Sequence, residues 1–191
     1  MIEFPFRKDN PLSISSPDRT PGRDADSRQN MIRIERTSGG RGFRLETSQF
    51  LPVPRDRIFE FFADAFQLET LTPAWLHFCV LTPAPIHIRK ETIIDYRLRL
   101  HGIPIKWQSR ISVWEPPFRF VDEQIRGPYR AWYHEHLFEE VNGGTLCHDR
   151  VDYEVRGGTL INKYFVSPDL LKIFKFRQKT LDQLFPERKN H

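Results

Sequence analysis

Between Trp132 and Val155 the chain alternates regularly enough to be two strands joined by a turn. Trp132, His134, His136 and Phe138 share one face of the first strand, while Tyr133, Glu135 and Glu139 take the other. Asn142-Gly143 follows, a strong signal for a two-residue hairpin because both central residues of a type I′ turn need positive φ. With that turn Val141 faces Gly144, Phe138 faces Cys147 and His136 faces Asp149. The last is a non-hydrogen-bonded pair, where side chains come closest. A three-residue loop including Gly144 would instead set His136 opposite Arg150 and turn Leu146, His148, Arg150 and Asp152 inward. The two-residue turn sends Thr145, Cys147, Asp149, Val151, Tyr153 and Val155 inward, a more apolar set, and the pattern favours it.

The same pattern continues upstream. Phe43, Leu45 and Thr47 alternate with Arg44, Glu46 and Ser48 as a half-buried strand. Pro52 and Pro54 end it, and Pro54 suits the first turn of a helix. Ile58, Phe59, Phe61, Phe62, Phe66 and Leu68 then recur at helical spacing, giving one helix or two short ones to about residue 71. Thr72-Pro73 breaks them. Four more strands precede the hairpin: Leu76–Leu81; Thr92–Leu100, with Ile94, Tyr96, Leu98 and Leu100 on one face; Ile105–Trp114, with Ile105, Trp107, Ile111 and Val113 on one face; and Phe118–Ile125, turned by Gly127-Pro128 into the histidine strand. After the hairpin, Ser167-Pro168-Asp169 reads as an N-cap, a proline at the first helical position and an acid near the positive dipole end. Leu170, Ile173, Phe174, Arg177, Leu181, Leu184 and Phe185 form the stripe of that last helix, which Pro186 closes. The order predicts an α+β fold: a curved antiparallel seven-stranded sheet whose concave face wraps a long C-terminal helix, with short helices after the first strand.

Residues 1–40 break the pattern. They alternate charge with Pro and Ser, lack a periodic apolar face, and are expected to be a disordered extension with a short ordered patch around Met31–Ile34. The folded domain is expected over 41–187, with a charged tail at 188–191. Sixteen Phe and four Trp supply enough large rings to line a core or a cavity. A formal charge of +4 is mild, and Lys and Arg are interspersed with acids except near the C-terminus, so nucleic acid is not an expected partner. The C-terminal basic residues leave room for transient contact with an anionic membrane surface. Cys79 and Cys147 are isolated and read as small buried residues in a reducing compartment. No apolar run reaches the length of a membrane span and no hydrophobic signal core opens the chain, so a cytoplasmic protein is expected. Nothing in the sequence sets an oligomeric state.

At this point the chain resembles the START-like, or SRPBCC, superfamily of polyketide cyclase/dehydrase-like, Bet v 1-like and START lipid-transfer proteins. The segments that carry the resemblance are Phe61-Phe62-Ala63-Asp64-Ala65-Phe66 with Leu71-Thr72-Pro73, Gly102-Ile103-Pro104 with Trp107, and Trp114-Glu115-Pro116-Pro117 with Phe120. Further along they are Gly127-Pro128-Tyr129, Trp132, His134, His136, Phe138, and Gly143-Gly144-Thr145 with Asp149. The resemblance spans about 43–185. It implies the helix-grip fold, an elongated apolar cavity between sheet and last helix, and binding of a lipid, polyketide, isoprenoid or similar hydrophobic molecule. It implies no shared catalytic residues.

The candidate site is therefore a cavity wall. His136 and Asp149 are expected either to satisfy each other in the core or to act as polar contacts of a ligand, and in a catalytic version Asp149 orients His136 as general acid or base for cyclisation or dehydration. The expected ligand-binding set is Tyr96, Trp107, Gln124, Trp132, His134, His136, Asp149 and Arg177. Arg177, inside an apolar stripe, either snorkels or pairs with Asp149 or a ligand anion. Asp122 precedes Gln124 on the same strand face, but the Gly127-Pro128 loop leaves their register open. His-x-His plus a carboxylate permits a metal, yet no further ligand cluster is evident, so neither metal nor cofactor is expected. Three roles stay open: ligand carrier, sensor or chaperone; cyclase/dehydratase; or a ligand-free interaction module.

Overall fold

A computed structural model describes residues 32–187. The expectations for 1–31 and for the tail at 188–191 lie outside the described residues. Eight antiparallel strands form one sheet: β1 (Arg33–Arg36), β2 (Phe43–Leu51), β3 (Cys79–Val80), β4 (Ile93–Leu100), β5 (Ile103–Glu115), β6 (Arg119–Arg126), β7 (Ala131–Val141) and β8 (Gly144–Glu154). Their spatial order is β1-β2-β8-β7-β6-β5-β4-β3. Two short helices, α1 (Arg55–Phe62) and α2 (Gln67–Thr70), follow β2; α3 (Gly158–Ile161) and α4 (Ser167–Leu184) follow β8.

The expected seven strands become eight because β1 joins the edge of β2, pairing Ile34 with Leu45. Its sequence, Arg-Ile-Glu-Arg, has one apolar residue, so nothing in its pattern marks a strand; the edge forms by main-chain pairing, with Ile34 packed against the core beside Phe43 and Leu45. The expected Leu76–Leu81 strand shrinks to Cys79–Val80, because Ala74–Leu76 closes a 3-10 turn and His77 leaves it at φ 44. Cys79 is only half-buried there, whereas Cys147 is buried, and both are free thiols.

The β7–β8 hairpin has the expected two-residue turn. Val141 pairs with Gly144, Phe138 with Cys147, His136 with Asp149 and Trp132 with Tyr153. Its form is not the expected type I′, which needs positive φ at both central residues: Gly143 has φ +87, but Asn142 stays out of the positive-φ region. Gly144 is required for a different reason: a Cβ there would stand 2.2 Å from the Leu51 carbonyl oxygen on the neighbouring strand. Gly144→Ala is therefore expected to push β2 and β8 apart and cost about 1–3 kcal/mol. Urea unfolding checks this, and an unchanged midpoint would show that the strands tolerate the added methyl.

Strand β5 departs from simple alternation. Register shifts at Gln108/Ser109 and Ile111/Val113 bend it around the core. Trp114, rather than the expected Val113, consequently packs against Phe59 and Phe120 on the concave side. Ser109 is buried.

The last helix begins earlier than Ser167-Pro168-Asp169 suggested. α3 runs through a π-helical turn, Asn162–Val166, directly into α4, so Ser167 is helical and not a cap. Pro168 lacks the N–H for an i→i−4 bond, and the widened turn just before it lets the helix pass through. Asn162 anchors that turn, accepting from the Tyr153 hydroxyl at 3.0 Å and donating to Ser167 Oγ at 2.8 Å. Along α4 the buried residues are Leu170, Phe174, Arg177 and Leu181. Leu170 and Phe174 join a core cluster with Phe43, Leu45, Trp132, Val151 and Tyr153. Leu181 joins a second, with Leu51, Ile58, Phe59, Leu71, Phe120 and Phe138. Arg177 falls between the two.

Candidate functional site

Below Arg177, four ionisable side chains from three adjacent strands meet. β6–β7 pairing sets Asp122 beside His134, and β7–β8 pairing sets His136 beside Asp149. Because His134 and His136 are two residues apart on one strand, their rings lie against each other, with centroids 3.9 Å apart and planes tilted by 38°. Phe120 stacks on the far side of His136 at 4.3 Å, and the Phe174 ring lies 5.9 Å from that of His134.

The two histidines are bracketed by two carboxylates. His134 Nε2 donates to Asp149 Oδ1 at 2.9 Å. His136 Nδ1 lies 2.8 Å from the same oxygen, but off the hydrogen-bond axis. On the other side Asp122 Oδ2 stands 3.4 Å from both His134 Nδ1 and His136 Nε2. Arg177 Nη1 is 3.8 Å from Asp149 Oδ1, and neither Nη1 nor Nε has a hydrogen-bond partner among the described residues. Its guanidinium instead lies over the Phe174 ring at 5.0 Å.

Burial and charge act against each other in this cluster. Burial would raise the Asp149 carboxyl, but His136 and the hydrogen bond from His134 hold it well below the usual carboxylate range. Burial would likewise raise Asp122; the hydrogen bond from His136, together with the charges of His134, His136 and Arg177, keeps it low. Burial pulls His134 down, aided by the neighbouring His136 charge. His136 goes the other way, because Asp149 and Asp122 outweigh its own burial. Both acids are thus ionised, and of the two rings His136 is the one that more readily carries a proton.

This cluster forms the polar end of a cavity of about 170 Å³ between the sheet, α4 and the short helices. Leu68, Phe78, Ile94, Leu98, Ile111 and Ile173 give it apolar walls. Of the expected site residues, Tyr96, Trp107, Trp132, His134, His136 and Arg177 all line it. Trp107 and Trp132 meet edge to face at 5.3 Å, and the Trp107 indole N–H is held by Ser109 Oγ at 2.9 Å. Burial pushes the Tyr96 hydroxyl and the Cys147 thiol up, so both stay protonated and neither serves as an anionic nucleophile.

Two expected residues are placed differently. Gln124 does not line the cavity: its amide donates to the Tyr129 carbonyl at 3.0 Å and accepts from the Tyr129 N–H at 3.3 Å, bracing the β6–β7 turn. Asp149 lies behind the histidines, in a small recess with Thr47, Gln178 and Leu181. The expected His136–Asp149 contact exists, but Asp149 is shared, and its aligned bond goes to His134. Arg177 does not snorkel; it is 8% exposed and points at the cluster. Asp122, left open by the sequence, joins the cavity wall.

Residues 51–175 match the family described as polyketide cyclase / dehydrase and lipid transport. No curated protein sequence matches the chain. Among solved structures, protein Ms6760 from Mycobacterium smegmatis is similar over 81% of this chain and 97% of its own, with 15% identity and a TM-score of 0.58. TTHA0849 from Thermus thermophilus is similar over 77% and 99%, with 16% identity and a TM-score of 0.58. The ginseng major latex-like protein 151 from Panax ginseng is similar over 77% and 99%, with 12% identity and a TM-score of 0.57. At these identities the likeness is one of fold. No helix among the described residues is long and apolar enough to cross a membrane.

Proposed function

We propose that this chain, which belongs to the polyketide cyclase / dehydrase and lipid transport family, binds a hydrophobic small molecule in the cavity between its sheet and α4. The observation that carries this reading is the asymmetry of the cavity. Its walls are mostly aliphatic and aromatic, with Asp64, Gln67 and Thr72 contributed by the short-helix region, while Arg177, His134, His136 and Asp122 gather at one place. An occupant with an apolar body and one oxygen-bearing end matches that distribution. A volume of about 170 Å³ is close to the ~150 Å³ cavity that holds benzene in an engineered protein. One ring or a short branched chain therefore fills it in this conformation. The unpartnered Nε and Nη1 of Arg177 favour an acidic or enolic oxygen at the polar end.

Solvent extraction of the purified protein, followed by mass spectrometry, is expected to recover one defined hydrophobic compound. A one-ring anionic dye such as 4-nitrophenolate should bind the emptied protein and be excluded by Leu98→Trp, which fills the cavity. Arg177→Leu should weaken dye binding by roughly tenfold, the loss of one charge-assisted contact. Protein that is always empty, with dye uptake indifferent to Leu98→Trp, would rule out the cavity as the binding site.

A second reading, a cyclase or dehydratase using His136 and Asp149, is favoured by the position of His136 at the cavity wall with Asp149 behind it. Turnover of the recovered compound separates the two. A catalyst should lose activity in His136→Ala and Asp149→Asn, whereas equal rates in wild type and both variants would remove the enzyme reading.

A further inference from the structure

We propose that Asp122, His134 and His136 form a binding site for one divalent transition-metal ion of the zinc type, held by three protein ligands with its remaining coordination position open to the cavity. The inference goes beyond the ligand-binding reading and does not depend on it. Donor atoms of the three side chains lie within 4.8 Å of one another. More telling are the two edges through Asp122 Oδ2, 3.4 Å to His134 Nδ1 and 3.4 Å to His136 Nε2. In a tetrahedral site with bonds of about 2.0–2.1 Å, neighbouring ligand atoms stand roughly 3.3–3.4 Å apart; an octahedron of the same bonds would bring them to about 2.9 Å. The observed edges match the tetrahedron.

The other face of the cluster supports the same assignment. A histidine that ligates a metal donates its remaining ring N–H to a carboxylate or carbonyl, which fixes its tautomer and orientation. Asp149 Oδ1 does this for His134, whose Nε2 donates to it at 2.9 Å. His136 Nδ1 lies 2.8 Å from the same oxygen but off the hydrogen-bond axis. His136 Nε2 donates to Asp122 Oδ2 at 3.4 Å, a bond that metal ligation would replace by moving the ring proton to Nδ1. With its N–H given to Asp149, a neutral His134 presents Nδ1 as a lone pair. That lone pair faces an ionised oxygen of Asp122 at 3.4 Å, with no hydrogen bond between them. A metal ion bound by both would satisfy the two atoms together.

Rigidity and access complete the case. Both histidines lie on one strand, 5% and 4% exposed, clamped between Phe120 and Phe174. Asp122 comes from the adjacent strand and reaches the cavity. Three fixed ligands with one open position are the arrangement of reactive zinc sites; structural ones close all four. A divalent ion would balance Asp122 and Asp149, leaving Arg177 to attract an anionic oxygen donor to the open position.

The test uses the full-length protein, stripped with chelator and titrated with zinc, with metal content read by mass spectrometry. One equivalent per chain is expected. Asp149→Asn should weaken binding about 10–100-fold, and Asp122→Asn or His134→Gln by more than that. His101→Ala, which alters an exposed histidine paired with Asp169, should change nothing. Cobalt(II) in the same site should give the strong visible absorption of a four-coordinate ion. If a variant fails to fold, X-ray absorption of the zinc-loaded wild type decides, and two imidazoles per zinc are expected. No stoichiometric ion, fewer than two imidazoles, or zinc binding undiminished in folded Asp122→Asn would overturn the proposal.

Discussion

Replacing Phe59 by alanine is expected to lower the unfolding free energy by about 3–5 kcal/mol, the range for deleting a large buried ring. Phe59 projects from α1 into the sheet, 5% exposed, with its ring 5.2 Å from Trp114, 5.6 Å from Phe138 and 6.0 Å from Phe120. Those neighbours sit on β5, β6 and β7, where main-chain pairing fixes their Cα positions, so they have little freedom to close over the space left behind. The cost therefore belongs at the upper end of the range. For a domain of this size it corresponds to a fall in Tm of roughly 6–20 °C. Phe59→Leu, which keeps most of the volume, should cost less than about 1.5 kcal/mol. The effect reaches the cavity too, because Phe62, the last residue of α1, lines it together with Leu68 and Leu71. Dye binding should weaken in Phe59→Ala even at temperatures where the variant stays folded. Urea unfolding with a loss below about 1 kcal/mol would mean that α1 is held by something other than this ring.

How far the sequence revealed this arrangement depended on how strongly each segment constrained its own register. The β7–β8 hairpin was legible because Asn142-Gly143 sets the number of turn residues and a one-residue slip would exchange an apolar face for a charged one. No such constraint acts between β6 and β7. Their connection at Gly127–Arg130 is longer than a two-residue turn, so the pairing of Asp122 with His134 was hidden, and with it the third corner of the cluster. The bulges in β5 carry no mark in the sequence, yet they turn Trp114 into the core in place of Val113. Gln124 has the alternation of a cavity residue, but its place beside the turn gives its amide to Tyr129. Ser167-Pro168-Asp169 has the composition of a helix start, and only the π turn before it, pinned by the Tyr153–Asn162 bond, carries the helix through. Local chemistry sets turns and faces; contacts between distant segments decide which faces meet.

Asp149→Ala is expected to destabilise the protein, measured in chelator, by about 3–5 kcal/mol, the cost of removing one partner from a buried charged cluster. A single oxygen, Asp149 Oδ1, takes the hydrogen bond from His134, lies 2.8 Å from His136 and is 3.8 Å from Arg177. Alanine leaves His134 without its acceptor, and it leaves the 8%-exposed guanidinium without the acid beside it. Asp149→Asn keeps the shape and one acceptor oxygen and should cost less. The two contributions separate in a double-mutant cycle with Arg177→Met, which keeps the length of the side chain and removes its charge. If the unpaired guanidinium dominates the cost, the double variant should recover part of it, with a coupling energy of about 0.5–3 kcal/mol. If the two changes simply add, the 3.8 Å gap carries no useful attraction, and the cost comes from the two histidines. Arg177 would then be a buried cation that the fold does not need, and the charge it holds over the cavity would be there for the occupant. A total cost below about 1 kcal/mol for Asp149→Ala would contradict both branches and remove Asp149 as the organising acid of the cluster.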